Sequence, residues 1–145
     1  MKCPNCNARM VRRGYEHITK VGGFTVTDGT GVVETCAACG EVSLSTEELA
    51  GYERRAARLI LTEGARVGGA VLRYARAALG LRQRELAAIL RRNEQQISRD
   101  EHADELPMDL RLAVAELLNL AEQGKPLDSI GASKGRALEV VRRTA

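Results

Sequence analysis

The 145-residue sequence predicts an α+β protein with two domains, a small β-rich module followed by an all-α domain. Three observations predict this class. Short runs of β-branched and aromatic residues, separated by glycine pairs, occupy roughly the first forty residues. Beyond them, apolar residues recur at helical spacing. Only 3% of the residues are aromatic, which favours a core of Leu, Ala, Val and Ile between small helices.

Composition and charge restrict the function classes. The sequence contains no run of eighteen apolar residues, so no transmembrane helix is expected. The start MKCPNC lacks the charged region followed by an apolar region that a secretory signal has. A cytoplasmic location is therefore expected, where thiols stay reduced. The net charge of +3 is weak support for nucleic-acid binding. The positive charge is concentrated in residues 51–80, which hold six basic and only two acidic side chains.

The N-terminal module is predicted to consist of short strands, MVRRGYEHI and FTVTD, with GVVETC leading on from them. Gly22-Gly23 and the DGTG stretch from Asp28 to Gly31 predict its turns. Its apolar side chains are too few to form a core alone, so a metal or disulfides are expected to hold it together.

All four cysteines lie in two pairs with two residues between partners, Cys3 with Cys6 and Cys36 with Cys39. This spacing lets one tight turn present two thiolates to an ion, and two such turns complete a tetrahedral site. We therefore expect one structural zinc ion per chain. Redox chemistry or two disulfides are the alternatives, but a redox CxxC needs a preceding strand, for which residue 3 leaves no room. His17 is an alternative ligand, but four cysteines already fill the site, so His17 is interpreted as an ordinary strand histidine.

The helical part is predicted to begin at a capping box, Ser45 to Glu48, and its first helix to end near Glu63-Gly64. The apolar stripe of that helix is predicted to be Leu49, Tyr52, Ala56, Leu59 and Ile60. Four further helices are predicted from VLRYARAALG, LRQRELAAIL, NEQQISRDE and LPMDLRLAVAELLNLAEQG. The last should bury Leu110, Ala113, Val114, Leu117, Leu118 and Ala121.

The predicted domain limits follow from these elements. They are a β module over 1–45, a linker helix over 46–68, a helical domain over 69–123 and a tail over 124–145. For the tail, a short helix from about Lys134 to Arg143 and a mobile segment both stay open.

The middle helices have the order of a helix-turn-helix, in which Gln83–Leu90 crosses the DNA backbone and Asn93 to about Glu101 enters the major groove. The predicted shared core is Leu81, Leu86, Ala87, Leu90, Ile97 and Leu110. Asn93 can cap the reading helix. The candidates to contact bases are Gln95, Gln96, Ser98 and Arg99, because Arg binds guanine and Gln binds adenine through paired hydrogen bonds. The predicted phosphate contacts are Arg82, Gln83, Arg84, Arg91 and Arg92, with support from the basic stretch 54–76. The alternative is a merely solvated helix face.

Two features work against DNA binding. Asp100 occupies a position where helix-turn-helix proteins of the kind this order resembles usually have an apolar or aromatic residue. With Glu101, Asp104, Glu105 and Asp109 it forms an acidic cluster beside the reading helix. Acid there repels phosphate. Arg91 occupies a turn position where Gly is common. Modest affinity, or a strong dependence on dimerisation, is therefore expected.

The order Gln83, Glu85-Leu86-Ala87, Leu90, Ile97-Ser98-Arg99, Glu101 resembles the lambda-repressor/Cro-like helix-turn-helix family. Together with MKCPNC, CAACGE and STEEL, it makes residues 1–122 similar to the MqsA antitoxin family with its YgiT-type zinc finger. The resemblance implies a zinc module that binds a ribonuclease toxin. It also implies a lambda-repressor-like domain that dimerises and represses its own operon at a palindrome, with Gln95 and Arg99 at the two base-reading positions.

Three functions are weighed on this basis. The first is an antitoxin and autorepressor, with double-stranded DNA, a toxin encoded next door and a second copy of the chain as partners. The second is a stand-alone zinc-stabilised regulator without a toxin. The third, a redox or hydrolytic enzyme, is disfavoured because no Ser-His-Asp arrangement is recognisable and only His17 and His102 could serve as bases. The dimer is expected to form through the helix over Pro107–Glu122, and no membrane contact is expected.

Overall fold

The computed structural model describes residues 1–129 of the chain, where an antiparallel three-stranded sheet precedes five helices. The predicted α+β class is therefore confirmed. The strands, in the sheet order β1-β2-β3, are β1 (Met10–Val21), β2 (Phe24–Cys36) and β3 (Val42–Ser43). The helices are α1 (Thr46–Glu63), α2 (Gly69–Ala78), α3 (Gln83–Leu90), α4 (Glu94–Asp100) and α5 (Met108–Glu122), followed by a 3₁₀ turn (Leu127–Ser129). None of these helices has the length and apolar character needed to cross a membrane. The predicted helix from Lys134 to Arg143 lies outside the described residues.

Strands β1 and β2 form one long hairpin, whose pairing runs from Met10 opposite Cys36 to Val21 opposite Phe24. The turn between them lies at Gly22-Gly23, as predicted, and both glycines have positive φ. The predicted turn at Asp28–Gly31 is wrong. These residues lie inside β2, where the register shifts by one residue and forms a β-bulge.

The bulge explains why this stretch resembles a turn. Gly31 lies against the hydroxyl of Tyr52, so that no side chain fits there. Asp28 accepts hydrogen bonds from the amide of Thr30 (3.0 Å) and from Nε of Arg55 (2.7 Å). Glycine and aspartate are therefore used here to let a strand approach a helix closely.

Helix α1 begins with the predicted capping box, in which Oγ of Ser45 accepts from the amide of Glu48 over 3.0 Å and the Glu48 carboxylate accepts from the amide of Ser45. Its buried residues are Tyr52, Ala56, Ala57, Ile60 and Leu61. The prediction that Leu49 and Leu59 are buried is wrong, since they are 38% and 43% exposed. The packed face is rotated toward Ala57 and Leu61 because α1 contacts both α5 and the hairpin.

Helix α5 lies at the centre of the helical core. It buries Leu110, Arg111, Ala113, Val114, Ala115, Leu117, Leu118 and Leu120, whereas the predicted core residue Ala121 is only half-buried. Of the core predicted for α3 and α4, only Leu81 is partly exposed. The same cluster includes residues of α1, α2 and the hairpin. Helix α1 therefore packs as part of the helical core, while the domain limits themselves stay a prediction.

Arg111 is a buried cation on α5. Its Nε donates to the carbonyl of Leu61 (2.8 Å), and Nη2 donates to the carbonyl of Gly64 (2.6 Å). Burial lowers the pKa of the guanidinium. The carbonyl groups at the end of α1 carry partial negative charge, so they replace a carboxylate as its partner and fasten α1 to α5.

Candidate metal centre and nucleic-acid interface

Each cysteine pair lies in a turn, and the two turns have the same pattern of backbone hydrogen bonds. The amide of Asn7 donates to the carbonyl of Cys3 over 2.8 Å, and the amide of Gly40 donates to that of Cys36 over 3.1 Å. In both turns the amide of the first cysteine donates to the carbonyl five residues ahead, over 2.8 Å. Asn7 and Gly40 have φ of 64° and 78°, which asparagine and glycine tolerate best. CPNCN and CAACG thus fold into the same shape.

These turns bring the four sulfur atoms together, all within 4.8 Å of one another. The Sγ atoms of Cys3 and Cys39 are 3.7 Å apart, and those of Cys6 and Cys36 are 3.4 Å apart. Four thiolates bound about 2.3 Å from one tetrahedral ion lie roughly 3.8 Å from each other. All four thiols are free, which excludes the two-disulfide alternative in this structure. The cluster has the donor set and the dimensions of a metal site.

Electrostatics inside the cluster favour a cation. The amide of Cys39 donates to Cys36 Sγ over 3.4 Å; with the amide of Ala38, and against the effect of burial, it lowers the pKa of the Cys36 thiol to about 6. The amide of Ala8 lowers the pKa of Cys6, but contacts with the Cys36 and Cys39 side chains outweigh it and raise that pKa to about 12. A thiolate at Cys36 therefore disfavours a second thiolate at Cys6, and a divalent ion would remove this repulsion.

Within residues 1–129 the cluster consists of the four cysteines alone. His17 lies elsewhere, with its ring stacked on Tyr52 at a centroid distance of 4.6 Å. With four thiolate donors a tetrahedral ion has no open position for a substrate. This arrangement suits a structural ion.

Helices α3 and α4 form a pair of short helices joined by the three residues 91–93. Oδ1 of Asn93 accepts from the amide of Gln96 (2.8 Å), and Oε1 of Gln96 accepts from the amide of Asn93 (2.9 Å). This capping box fixes the start of α4. Ile97 is fully buried beneath it, so the opposite face of α4 points outward.

That outward face carries two of the four predicted base contacts. Gln95 and Arg99 are exposed and lie one helical turn apart on the same side of α4. Within residues 1–129 neither side chain forms a hydrogen bond or an ion pair. Gln96 and Asn93 use their side-chain oxygens in the capping box, and Ser98 is half-buried.

The predicted phosphate contacts divide into two groups. Arg82, Arg84 and Arg91 are exposed and have no ion-pair partner in the described part of the chain. Gln83, in contrast, donates from Nε2 to the carboxylate of Glu101 over 3.0 Å. Arg92 lies 3.1 Å from a carboxylate oxygen of Asp109 and 3.7 Å from one of Asp100.

The acidic cluster is also divided. The Glu101 side chain is 2% exposed and receives hydrogen bonds of 2.6 and 3.1 Å from Arg76, which also donates to the carbonyl of Leu81 over 2.9 Å. Burial alone would raise the pKa of Glu101, but the hydrogen bonds from Arg76 and Gln83 outweigh it and lower that pKa. Glu101 is therefore an internal brace between α2, α3 and α4. Asp104, Glu105 and Asp109 keep the exposed position expected of the cluster.

Most arginines of the basic stretch 54–76 form ion pairs within the protein, some of them at its surface. Five of its six arginines pair with carboxylates, as Arg54–Glu47, Arg55–Asp28, Arg58–Glu122, Arg66–Glu105 and Arg76–Glu101. Arg73 is exposed and has no such partner within residues 1–129. Among the residues that the structure describes, Arg73 is thus the one arginine of the stretch without a carboxylate partner. Sequence reasoning missed these pairs because the partners are 7 to 64 residues apart.

No protein-family model matches this chain, and no curated protein matches it. The structure itself shows a four-cysteine cluster in a strand module. A helical domain with a capped, outward-facing short helix follows it.

Proposed function

We propose that this protein is a zinc-stabilised DNA-binding antitoxin that represses its own operon. The observation that carries the DNA-binding part is the distribution of paired and unpaired charges. Every arginine from α1 to the loop before α2 has an acidic partner. On α2–α4 and the turn between α3 and α4, Arg73, Arg82, Arg84, Arg91 and Arg99 have none in the described residues. Unpaired cations beside a polar reading face suit a polyanion.

Zinc is the ion we propose for the cysteine cluster. Four thiolates are soft donors that select against Mg²⁺ and Ca²⁺, and their tetrahedral arrangement suits Zn²⁺. The ion supplies the folding free energy that a cluster of only Cys3, Met10 and Cys36, with Ala8 beside it, lacks. The purified protein should contain about one zinc per chain. A Cys36→Ser variant that keeps its full zinc content and a folded hairpin would contradict the proposal.

The reading helix acts on DNA through its outward face. Entry of α4 into the major groove would present Arg99 to a guanine and Gln95 to an adenine. Arg82 and Arg84, at the start of α3, would lie along the phosphates and set the position of the protein without reading sequence. The hydrogen bonds between Arg76 of α2 and Glu101 hold the end of α4 against the helical core.

The experiment is a binding titration with duplex DNA from the region upstream of the gene, at several salt concentrations. Arg99→Ala should weaken binding by about 1–3 kcal/mol and relax one base position, whereas Arg84→Ala should weaken binding to all sequences and reduce the salt slope by about 1. Arg13→Ala is the control, because Arg13 is exposed on the hairpin. Equal affinities for Arg99→Ala and Arg13→Ala would sink the reading-helix assignment.

The antitoxin role rests on the resemblance to the MqsA family and on the division of the chain into a metal module and a reading domain. Its partner would be a toxic ribonuclease encoded next to this gene. Co-expression with the neighbouring gene product should give a complex that protects the cells. If the full chain binds its upstream DNA but neither binds nor neutralises the neighbouring product, the protein is a stand-alone zinc-stabilised regulator.

Dimerisation on a palindrome is part of the same proposal. Most of α5, the expected dimer helix, is covered by α1 and the rest of the core. Among its large apolar residues Met108 is exposed, at 50%, next to Pro107 and Leu106. A contact through α5 would therefore involve its N-terminal end.

A further inference from the structure

The hairpin and the helical domain share a core at the end of the hairpin farthest from the cysteines. Val26 is buried in the helical core, and Val21 and Phe24 pack against it. The hairpin and the helices come close to each other at two glycines, Gly22 and Gly64. A β-carbon on Gly64 would lie 3.1 Å from the Phe24 ring, and one on Gly22 would lie 2.8 Å from the Val71 side chain. We call Val21–Val26 the docked tip.

A second contact fastens the middle of the hairpin to α1. Tyr52 is 2% exposed, and its ring meets those of His17 at 4.6 Å and Tyr15 at 6.0 Å. On the opposite strand, Gly31 leaves the space that the Tyr52 hydroxyl occupies. Beside it, Arg55 lies over the Tyr52 ring and pairs with the bulge through Asp28.

The cysteine end of the hairpin has little of its own to keep it ordered. Its core consists of Cys3, Met10 and Cys36, with Ala8 against it. An isolated two-stranded hairpin is marginal in water, and ordering its backbone opposes folding through lost entropy. The strands are therefore held from two sides, by whatever binds the thiols at one end and by the docked tip at the other.

We propose that metal binding at the cysteines and docking of the tip stabilise each other through the hairpin, so that metal occupancy changes the stability of the helical core, which includes α1, α2 and the helix α4 that carries Gln95 and Arg99. A metal-ordered hairpin presents its tip already formed, which lowers the entropy lost on docking. The inference rests on the proposed metal binding but does not depend on DNA binding. The coupling acts over eleven residue pairs of β1, roughly 35 Å.

Thermodynamic linkage makes this coupling reciprocal: a substitution at the tip must weaken metal binding by the same factor by which the metal strengthens docking. The test titrates the full chain with Co²⁺, followed by the absorption of its thiolate complex, and then displaces Co²⁺ with Zn²⁺. Phe24→Ala should weaken metal affinity about tenfold. Ile18→Ala, on the same hairpin but 54% exposed, should leave it unchanged. Equal affinities for the two variants would overturn the proposal.

A second pair of variants tests the middle contact. Gly31→Ala displaces the Tyr52 hydroxyl and should also weaken metal binding, whereas Gly14→Ala, on the same hairpin with open space around it, should not. If Phe24→Ala and Gly31→Ala both fail to fold, hydrogen exchange of the wild-type chain decides. Removing the metal should raise amide exchange in α1 and α2 as well as in the hairpin. An increase confined to the hairpin would overturn the proposal.

These outcomes separate the two levels of inference. A wild-type chain that binds neither Co²⁺ nor Zn²⁺ refutes the proposed metal site. A chain that binds metal with an affinity indifferent to Phe24 and Gly31 keeps the metal site and refutes the coupling.

Discussion

Arg91 is one of two non-glycine residues with a left-handed backbone in residues 1–129, the other being Asn7 in the first cysteine turn. Its φ of 56° ends α3 and starts the turn into α4. The sequence identified Arg91 as unusual because glycine is common at this position. A β-carbon in the left-handed region costs about 1–2 kcal/mol, so the protein tolerates strain where its proposed DNA surface gains a cation.

Arg91→Gly should therefore separate stability from binding. Removing the strained β-carbon should raise the free energy of unfolding by about 0.5–1 kcal/mol, net of the extra freedom of glycine in the unfolded chain. DNA affinity should fall and its salt slope decrease by about 1, because one phosphate contact is lost. Urea unfolding and salt-dependent titration measure the two effects. Arg84→Gly, inside α3, is the control and should lower stability by about 1 kcal/mol.

At the scale of elements, Arg92 joins three parts of the proposed reading unit. It follows α3, while its partners Asp100 and Asp109 lie at the end of α4 and in the first turn of α5. The acidic cluster, which the sequence suggested would only repel DNA, thus contains a bridge that fixes α4 against α5. Repulsion of DNA by the acidic residues and support of α4 by this bridge predict opposite changes in DNA affinity when one of the carboxylates is removed.

Asp109→Asn distinguishes them. If charge repulsion dominates, removing a negative charge beside the DNA should strengthen binding. We expect the opposite, a loss of up to about 1 kcal/mol or roughly fivefold, because α4 loses part of its support. Asp104→Asn removes an exposed acid from the same region and should bind as the wild type does or slightly better. Tighter binding by Asp109→Asn in the same titration would show that Arg92 serves DNA better when free.

The elements themselves were largely predictable from sequence. The capping box at Ser45, the hairpin turn at Gly22-Gly23 and the positions of α3–α5 follow from local signals, which depend on neighbouring residues. The errors arose where tertiary contacts outweighed these signals. Asp28–Gly31 has the composition of a turn, yet it forms a bulge because Tyr52, distant in sequence, needs the space at Gly31.

At the scale of the whole molecule, buried carboxylates join the parts of the chain. Asp28 links the hairpin to α1 through Arg55, and Glu101 links α4 to α2 through Arg76. Burial opposes ionisation of both, but hydrogen bonds from Thr30 and Arg55 lower the pKa of Asp28, as those from Arg76 and Gln83 do for Glu101. The ionised forms therefore stabilise the fold.

The expected pH dependence follows from the sign of these shifts. Both pKa values lie below their ordinary values of 3.8 and 4.5, so the stabilisation is complete above about pH 5 and is lost as the pH falls through the folded values. Glu101→Gln should lower the free energy of unfolding by about 2 kcal/mol at pH 7 and flatten its fall in acid. Glu94→Gln, exposed on α4, is the control. Denaturant unfolding from pH 7 to 3 measures the difference between variant and wild type, which removes acid release of metal common to both.

The sequence by itself determined the element order, the α+β class and the cysteines able to share a metal ion, because periodicity, caps and two-residue spacing are local properties. The tertiary structure alone decided which charged and amide side chains have partners. Arg76 and Arg92 pair with carboxylates and Gln83 donates to one, whereas Gln95 and Arg99 stay exposed. It also decided that the hairpin tip packs into the helical core. These outcomes depend on which distant groups meet when the chain folds, and neither composition nor spacing records that meeting.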